Sequence, residues 1–288
     1  MAQTITVTIM GLGRLGASVG LALQRHNKKS GVAYTFDVTG VEDRPASARS
    51  AEQQGAVSRM ARNIYGAAQE KDIIVLALPY ADVRRTYQAI GDGIRPGCVV
   101  IDLSPLKLPS LQWAQEYLPK EAHVVGATAI VNPHYLYDGL DDTEHAAADL
   151  FDQGSMLLMP SPTCIREAVE LASDFSTLLG AGVHFMDPME HDSLMAATLG
   201  LPTLLGVTSF YTLMRSAGWG DRRKQRLTSK KPSPPAEMKA TSLSRPKLCW
   251  NWRACRKRRG NQQMPMSRPS GRRRWPIATE LSSCVAER

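Results

Sequence analysis

Three glycines near the amino terminus, Gly11, Gly13 and Gly16, have the spacing G-x-G-x-x-G. The β-branched run TITVTIM precedes them, and an apolar segment with helical periodicity follows them. In such a strand–turn–helix the first glycine permits a tight turn, the second lets the backbone approach a pyrophosphate, and the third lets the helix pack closely on the strand. The helix N-terminus also offers unpaired N–H groups to phosphates. The spacing therefore predicts a dinucleotide-binding turn.

An acidic residue at the end of the second predicted strand fits the same site. Glu42 follows TGV directly and is the candidate acceptor for ribose hydroxyls, which favours NAD. Arg44 could instead face the 2′-phosphate of NADP, so both cofactors stay open. The other predicted cofactor contacts are Leu12, Arg14 and Leu15 in the glycine turn and Leu78 and Pro79 after the strand DIIVLAL. The alternative is that the glycines serve packing only and that Glu42 is a solvated charge.

A parallel sheet would position these residues, and the pattern from Thr4 to Met186 indicates one. Short β-branched runs such as DIIVLAL and CVVIDL alternate with helical stretches such as YADVRRTYQAIGDGI. Nearly continuous apolar strands are typical of a parallel sheet covered on both faces, and right-handed crossovers make it doubly wound. We therefore expect an α/β, Rossmann-type dinucleotide-binding domain over residues 1–162. Residues 163–214 are predicted to begin an all-helical domain.

Residues 215–288 differ in charge from the rest of the chain. Residues 1–214 carry 15 Lys and Arg against 23 Asp and Glu, whereas residues 215–288 carry 20 against 4. Prolines interrupt every candidate helix in 215–288, which predicts a disordered basic tail. Its mixture of Arg, Ser, Pro, Trp and Cys suggests a frameshift product. The clusters CRKRRG and SGRRRWP suggest nucleic-acid binding as another function. We disfavour it because no motif or fold presents these clusters.

The spacing of the cysteines and the length of the apolar runs indicate the cellular environment of the protein. The five cysteines have no metal-ligand spacing and no disulfide framework, so no metal site is expected and a reducing compartment is favoured. No apolar run reaches the length of a membrane span, and the N-terminus lacks the order of a signal peptide. The expectation is a cytoplasmic protein with no membrane partner.

Four segments together resemble one enzyme family. They are VTIMGLGRLGASVGLAL, DIIVLALPYADV, GCVVIDLSPLK and LLGAGVHFMDPMEHDSLMAATLGLPTLL, and in this order they resemble the prephenate/arogenate dehydrogenases of tyrosine biosynthesis over residues 4–210. The resemblance implies NAD(P)-dependent oxidative decarboxylation of a small ring carboxylic acid, prephenate or arogenate. Hydride would pass from the ring carbinol carbon to the nicotinamide. It also implies an all-helical C-terminal domain that, if complete, forms a homodimer.

The chain departs from this family at the expected catalytic histidine. The family's Gly-x-His-Pro motif is represented by Gly126, but Thr128 stands where the histidine is expected. His134 is the candidate that would replace it as the proton acceptor, although it also fits a plain surface loop. The other catalytic candidates by resemblance are Ser104 and Lys107, both in IDLSPLK.

A second departure lies in the helical segment, where Thr203 replaces a histidine that usually follows Leu-Pro in the family. His191 does match the family block, and we expect a structural role for it near a helix start. Two functions are therefore open: a dehydrogenase, or a catalytically impaired dinucleotide-binding module without the histidine and a complete substrate domain.

Overall fold

The computed structural model describes residues 3–136, 138 and 140–215. Within them the strands are β1 (Gln3–Met10), β2 (Tyr34–Val41), β3 (Arg59–Met60), β4 (Ile73–Leu76), β5 (Val99–Asp102), β6 (His123–Ile130), β7 (Ser155–Pro160) and β8 (Gly182–Phe185). The helices are α1 (Arg14–Asn27), α2 (Pro45–Gln53), α3 (Ile64–Ala68), α4 (Tyr80–Ile90), α5 (Leu108–Tyr117), α6 (Arg166–Leu179), α7 (Pro188–Met195) and α8 (Leu201–Arg215). The predicted basic tail lies outside the described residues, apart from Arg215.

The strands form one sheet in the order β3-β2-β1-β4-β5-β6-β7-β8. The first six follow the order of a dinucleotide-binding doubly wound sheet, and all their pairings are parallel. The β6–β7 pair is antiparallel, which differs from the expected all-parallel sheet. The reason lies in residues 131–154, whose described part forms short 3₁₀ turns, whereas a parallel return needs a longer crossover, usually helical. The Rossmann-type α/β fold is confirmed.

Two apolar clusters hold helices against the two faces of the sheet. On one face Leu23 of α1 and Phe175 of α6 belong to the same cluster as Val7 of β1. On the other face Tyr87 of α4 belongs to the same cluster as Ile74 of β4. Strands β4 and β5 are buried along their whole length, because both faces are covered.

Residues 163–185 belong to this sheet rather than to a separate helical segment. Helix α6 packs on the α1 face, and β8 pairs in parallel with β7. The helical segment begins at Pro188, later than the predicted 163. Asp187 caps it as the sequence predicts, because its carboxylate accepts the N–H groups of Met189 and Glu190.

The last described helix is long and largely apolar. Helices α7 and α8 are joined through a π turn, Ala196–Gly200, into a continuous helix of 28 residues, Pro188–Arg215. Among the described residues it is long and apolar enough to cross a membrane, with a mean hydropathy of 1.4 over an 18-residue stretch. The expectation that no apolar run reaches the length of a membrane span was therefore wrong for this helix, which continues through Pro202. Helices packed between soluble subunits have the same composition, so these properties do not place it in a membrane.

Candidate active site

A cleft of about 1350 Å³ opens at the carboxyl ends of β1 and β4. The strand order changes direction between these two strands, which is where doubly wound sheets bind ligands. The volume exceeds the ~300–1,000 Å³ typical of a drug-sized ligand and suits a larger one. Of the predicted cofactor residues, all except Leu12 line this cleft: Gly11, Gly13, Arg14, Leu15, Gly16, Glu42, Arg44, Leu78 and Pro79.

Different physical constraints act on the three glycines of the β1–α1 turn. Gly11 has a φ of +89°, and a Cβ there would lie 2.3 Å from the Ala77 carbonyl oxygen. A Cβ on Gly16 would lie 2.0 Å from the Gly11 carbonyl oxygen. Gly13 differs, because its φ is −63° and a Cβ would meet only an Arg44 nitrogen, at 3.9 Å. The protein's own packing thus needs glycine at two positions, and the space above Gly13 is left open.

Glu42 organises the turn from the end of β2. Its Oε2 accepts the Leu12 N–H at 2.8 Å, and its Oε1 accepts the Arg44 N–H at 3.0 Å and the Arg44 Nε–H at 3.2 Å. The Glu42 side chain is largely buried while that of Arg44 is exposed. The Leu12 side chain points into the core, so this residue contributes through its backbone. A carboxylate has about four acceptor positions, so Glu42 can still accept ribose hydroxyls.

Arg14 is held by the chain segment that follows β6. Its guanidinium makes a bidentate pair with Asp138 at 2.8 and 2.6 Å and donates to the carbonyl oxygens of Leu140 and His145. The hydrogen bond from Arg14 is the main reason why the pKa of Asp138 falls to about 2. Thr143 adds a buried hydrogen bond of 2.6 Å to the Leu12 carbonyl oxygen. Two predicted cofactor residues therefore also fasten this segment to the turn.

Lys107 lies beneath the cleft with its ammonium fully bonded. Nζ donates to the carbonyl oxygens of Asp102 at 3.0 Å and Ala127 at 2.7 Å, and to that of Ser104. Burial lowers the pKa of Lys107 to about 8, opposed by the charges of Asp102 and Asp192. An ammonium has three donors, and these carbonyl groups use all of them. Lys107 thus joins the ends of β5 and β6, and the structure does not bring it to the cleft wall.

Ser104, the other candidate in IDLSPLK, does line the cleft. Its N–H donates to Asp102 Oδ1 at 2.7 Å, and its hydroxyl donates weakly to the Leu106 carbonyl oxygen at 3.3 Å. The Asp102 carboxylate also accepts the Tyr87 hydroxyl and the Ser110 hydroxyl. Burial raises the pKa of Tyr87 well above its usual value. This buried network fixes the end of β5 beside Ser104, which is itself fully buried.

Thr128, on the cleft wall, is hydrogen-bonded to a buried histidine. Thr128 Oγ1 lies 2.9 Å from His191 Nε2, and His191 Nδ1 lies 2.8 Å from Asp192 Oδ1. The Asp192 carboxylate also accepts the N–H groups of Lys107 and Leu108, both at 2.9 Å, at the start of α5. Burial raises the pKa of Asp192, but these backbone hydrogen bonds and that from His191 outweigh it, so the pKa is lowered.

His134, the predicted proton acceptor, lies elsewhere. It is on the exposed 3₁₀ turn Pro133–Tyr135 and packs edge-on against the Tyr135 ring, and it does not line the cleft. The structure therefore does not bring His134 together with Thr128 and Ser104. Among residues 3–136, 138 and 140–215, no group of three or more His, Cys, Asp or Glu could hold a metal ion.

A family model now accounts for most of this architecture. The model described as "Prephenate dehydrogenase, nucleotide-binding domain" matches residues 19–185, more than half of the chain. The chain belongs to this family. The resemblance on which the sequence reading relied is thus confirmed, and the matched range ends with β8, where the sheet ends.

Proteins similar to this chain include prephenate and arogenate dehydrogenases. Prephenate dehydrogenase of Bacillus subtilis (strain 168) is 22% identical over 241 residues, which are 79% of this chain and 62% of that protein. The chain thus spans less than two thirds of this relative. The structure of Aquifex aeolicus prephenate dehydrogenase with hydroxyphenyl propionate and NAD⁺ superposes on this chain with a TM-score of 0.62 at 18% identity. The match covers 78% of this chain and 79% of that one. Synechocystis arogenate dehydrogenase has a TM-score of 0.61 at 17% identity, covering 78% and 75%.

In this prephenate dehydrogenase-family chain, sequence reasoning assigned His191 to helix packing and missed its contact with Thr128. The adjacent pair His191 and Asp192 was the available signal, since a carboxylate beside a histidine can orient its ring. The sequence also gave no sign that Met195 and Leu199, around the π turn, would line the cleft. Turns of the π type occur often at functional sites.

Proposed function

We propose that this chain is an NAD-dependent dehydrogenase that oxidatively decarboxylates prephenate or arogenate in tyrosine biosynthesis. The observation that carries the proposal is the open space above Gly13, in a chain whose residues 19–185 match the nucleotide-binding domain of prephenate dehydrogenases. Neither the backbone dihedral angle nor the packing of the protein requires glycine there, which fits a position where a pyrophosphate approaches the backbone closely.

The residues around the turn fit a nicotinamide dinucleotide. The first intrahelical hydrogen bond of α1 runs from the Ala17 N–H to the Gly13 carbonyl oxygen. The N–H groups of Arg14, Leu15 and Gly16 therefore precede it at the helix end and can donate to a pyrophosphate. Glu42 can accept the ribose hydroxyls, and its charge opposes a 2′-phosphate. When bound, the cofactor supplies the hydride acceptor.

NAD is favoured over NADP on two grounds. The Arg44 Nε already pairs with Glu42 at 3.2 Å, which reduces its availability for a second anion. The related Aquifex aeolicus structure holds NAD⁺. Arg44 nevertheless remains largely exposed beside the cleft, so NADP is the alternative that binding measurements must test.

The far end of the cleft suits a small ring acid. Thr128 offers a hydroxyl there, and Met195, Ala196 and Leu199 offer apolar surface for a ring. The Aquifex aeolicus relative holds hydroxyphenyl propionate, a ring carboxylic acid of this class. We infer that the substrate lies between the β5 and β6 ends and the π turn.

The test is NADH formation from prephenate and from arogenate, followed at the absorbance of the reduced nicotinamide. Cofactor affinity is measured separately by fluorescence with NAD and NADP. Turnover with either acid supports the dehydrogenase. Nucleotide binding with no turnover supports the impaired binding module, for which the replacement of the family histidine by Thr128 is the specific observation. Absence of nucleotide binding contradicts both functions.

A cytoplasmic homodimer is the proposed cellular form. The apolar helix exposes large side chains, including Leu204 and Phe210 at 64% and 67% of their surface. Apolar patches of this kind commonly mark protein interfaces. The homodimer stays a prediction that light scattering tests.

A further inference from the structure

A continuous hydrogen-bonded path leads from the cleft wall to a carboxylate that is mostly buried. It begins at the half-buried Thr128, passes through His191, whose side chain is fully buried, and ends at Asp192. The path occupies the place where the family places its catalytic histidine, because Thr128 stands at that position of the motif that Gly126 begins.

The partners of His191 fix the direction of these hydrogen bonds. An ionised carboxylate only accepts, so the Asp192 contact places a proton on Nδ1 of His191. In a neutral imidazole Nε2 is then an acceptor, and the Thr128 hydroxyl donates its proton to it. The Thr128 oxygen retains lone pairs for a second partner, and the side chain lines the cleft. A substrate hydroxyl could therefore donate to it.

We propose that Thr128 relays the substrate hydroxyl proton to His191, and that Asp192 orients the imidazole and stabilises its charged form. The proposal rests on the dehydrogenase function proposed above. It assigns the proton acceptor to a threonine–histidine pair in place of a single histidine, and it excludes His134 from that role.

The proton balance follows from the reaction. As hydride leaves the carbinol carbon for the nicotinamide, the substrate O–H bond breaks and its proton binds Thr128 Oγ1. The hydroxyl proton of Thr128 moves to His191 Nε2. When the carbon–carboxylate bond breaks, carbon dioxide leaves and the electron pair passes through the ring to the oxygen. That phenolate takes the proton back by the reverse path, so the pair holds it temporarily and none is released.

A purely structural role for His191 accounts for less of the geometry. Asp192 already attaches α7 to the start of α5 through the N–H groups of Lys107 and Leu108. This attachment does not need the imidazole. The contact to Thr128 adds a hydrogen bond that ends at the cleft, which is where a proton acceptor is required.

Three variants separate the relay from a structural contact. Thr128→Val removes the hydroxyl at nearly constant volume, whereas Thr128→Ser retains it. His191→Gln keeps an amide that can accept from Thr128 but cannot take up its proton. His184→Gln is the matched control, because His184 is exposed on β8 and does not line the cleft. For each, kcat and KM for the ring acid, the Kd of NAD and the melting temperature are measured.

We expect Thr128→Val and His191→Gln to lower kcat about 100-fold, the lower range for loss of general acid–base catalysis. KM and the Kd of NAD should change less than about threefold, and Thr128→Ser should restore kcat to within about tenfold of the original chain.

Unchanged kcat in Thr128→Val, or in His191→Gln, overturns the relay while leaving the dehydrogenase function standing. Absence of NADH formation by the unaltered chain overturns the proposed function and the relay with it. If Thr128→Val fails to fold, the serine and glutamine variants decide: a Thr128→Ser chain without activity, or an active His191→Gln chain, overturns the relay.

Discussion

Arg14 and Asp138 lie 124 positions apart in the chain, and their side chains form a bidentate ion pair with distances of 2.8 and 2.6 Å. The Arg14 side chain is 8% exposed and that of Asp138 28%. This pair fastens the segment after β6 to the turn that carries the glycines. The position of the Arg14 guanidinium beside the turn therefore depends on a contact from outside α1.

Replacing Asp138 with asparagine should change the response to acid. Asp138 has a folded-state pKa of about 2, below its usual 3.8, so its contribution is present above about pH 4 and is lost as the pH falls towards 2. Below pH 5 the melting temperature of the original chain should thus fall more steeply than that of Asp138→Asn. Thermal melts from pH 7 to pH 2 measure this. Parallel curves would contradict the importance of the pair.

Gly13→Ala should leave the fold intact and weaken nucleotide binding. The new Cβ meets only an Arg44 nitrogen at 3.9 Å, so the free energy of unfolding should change by about 1 kcal/mol or less. The Kd of NAD should rise at least about tenfold, because the methyl group fills the space reserved for the ligand. Gly16→Ala is the contrasting variant, since its Cβ would lie 2.0 Å from the Gly11 carbonyl oxygen and should destabilise the fold itself. An unchanged NAD affinity in Gly13→Ala would remove the basis of the nucleotide site.

Glu42→Ala should weaken NAD binding and shift the preference towards NADP. The substitution removes the ribose acceptor and the support of the Leu12 N–H, and it releases the guanidinium of Arg44. The ratio of the Kd for NADP to that for NAD should fall at least about tenfold, because a negative charge facing the 2′-phosphate is removed. Fluorescence titrations with both cofactors measure it. Arg44→Ala in the same background should reverse the gain for NADP; if it does not, another cation holds the phosphate.

His134→Gln should leave turnover close to that of the original chain. The side chain is exposed on a 3₁₀ turn outside the cleft, against the ring of Tyr135. Steady-state NADH formation is the measurement. A loss of about 100-fold in kcat would restore the expectation from the sequence that His134 is the proton acceptor.

Leu204→Glu should reduce self-association. Leu204 is 64% exposed on α8, so a glutamate there costs the isolated chain little, whereas it would place a charge in an apolar interface. Light scattering over a concentration series measures the change in mass. A chain that is already a soluble monomer without the substitution would contradict the homodimer.

Much of the nucleotide-binding half could be predicted from the sequence, because its signals are local. Alternating strand and helix patterns located β1, α1, β2 and α4, and Asp187 before a proline located the start of α7. The antiparallel β6–β7 pair was missed, since strand direction depends on how residues 131–154 return and not on the pattern of either strand.

The sequence by itself determined the glycine turn and the acidic residue at the end of β2, because backbone freedom at glycine and strand periodicity are properties of short segments. Only the tertiary structure decided that Lys107 would be buried among carbonyl groups and that Thr128 would meet His191, 63 positions away. The contacts of Lys107 arise where the ends of β5 and β6 meet, and that of Thr128 arises where α7 reaches β6. The periodicity of one segment specifies which face is buried, but not the residue that it meets there.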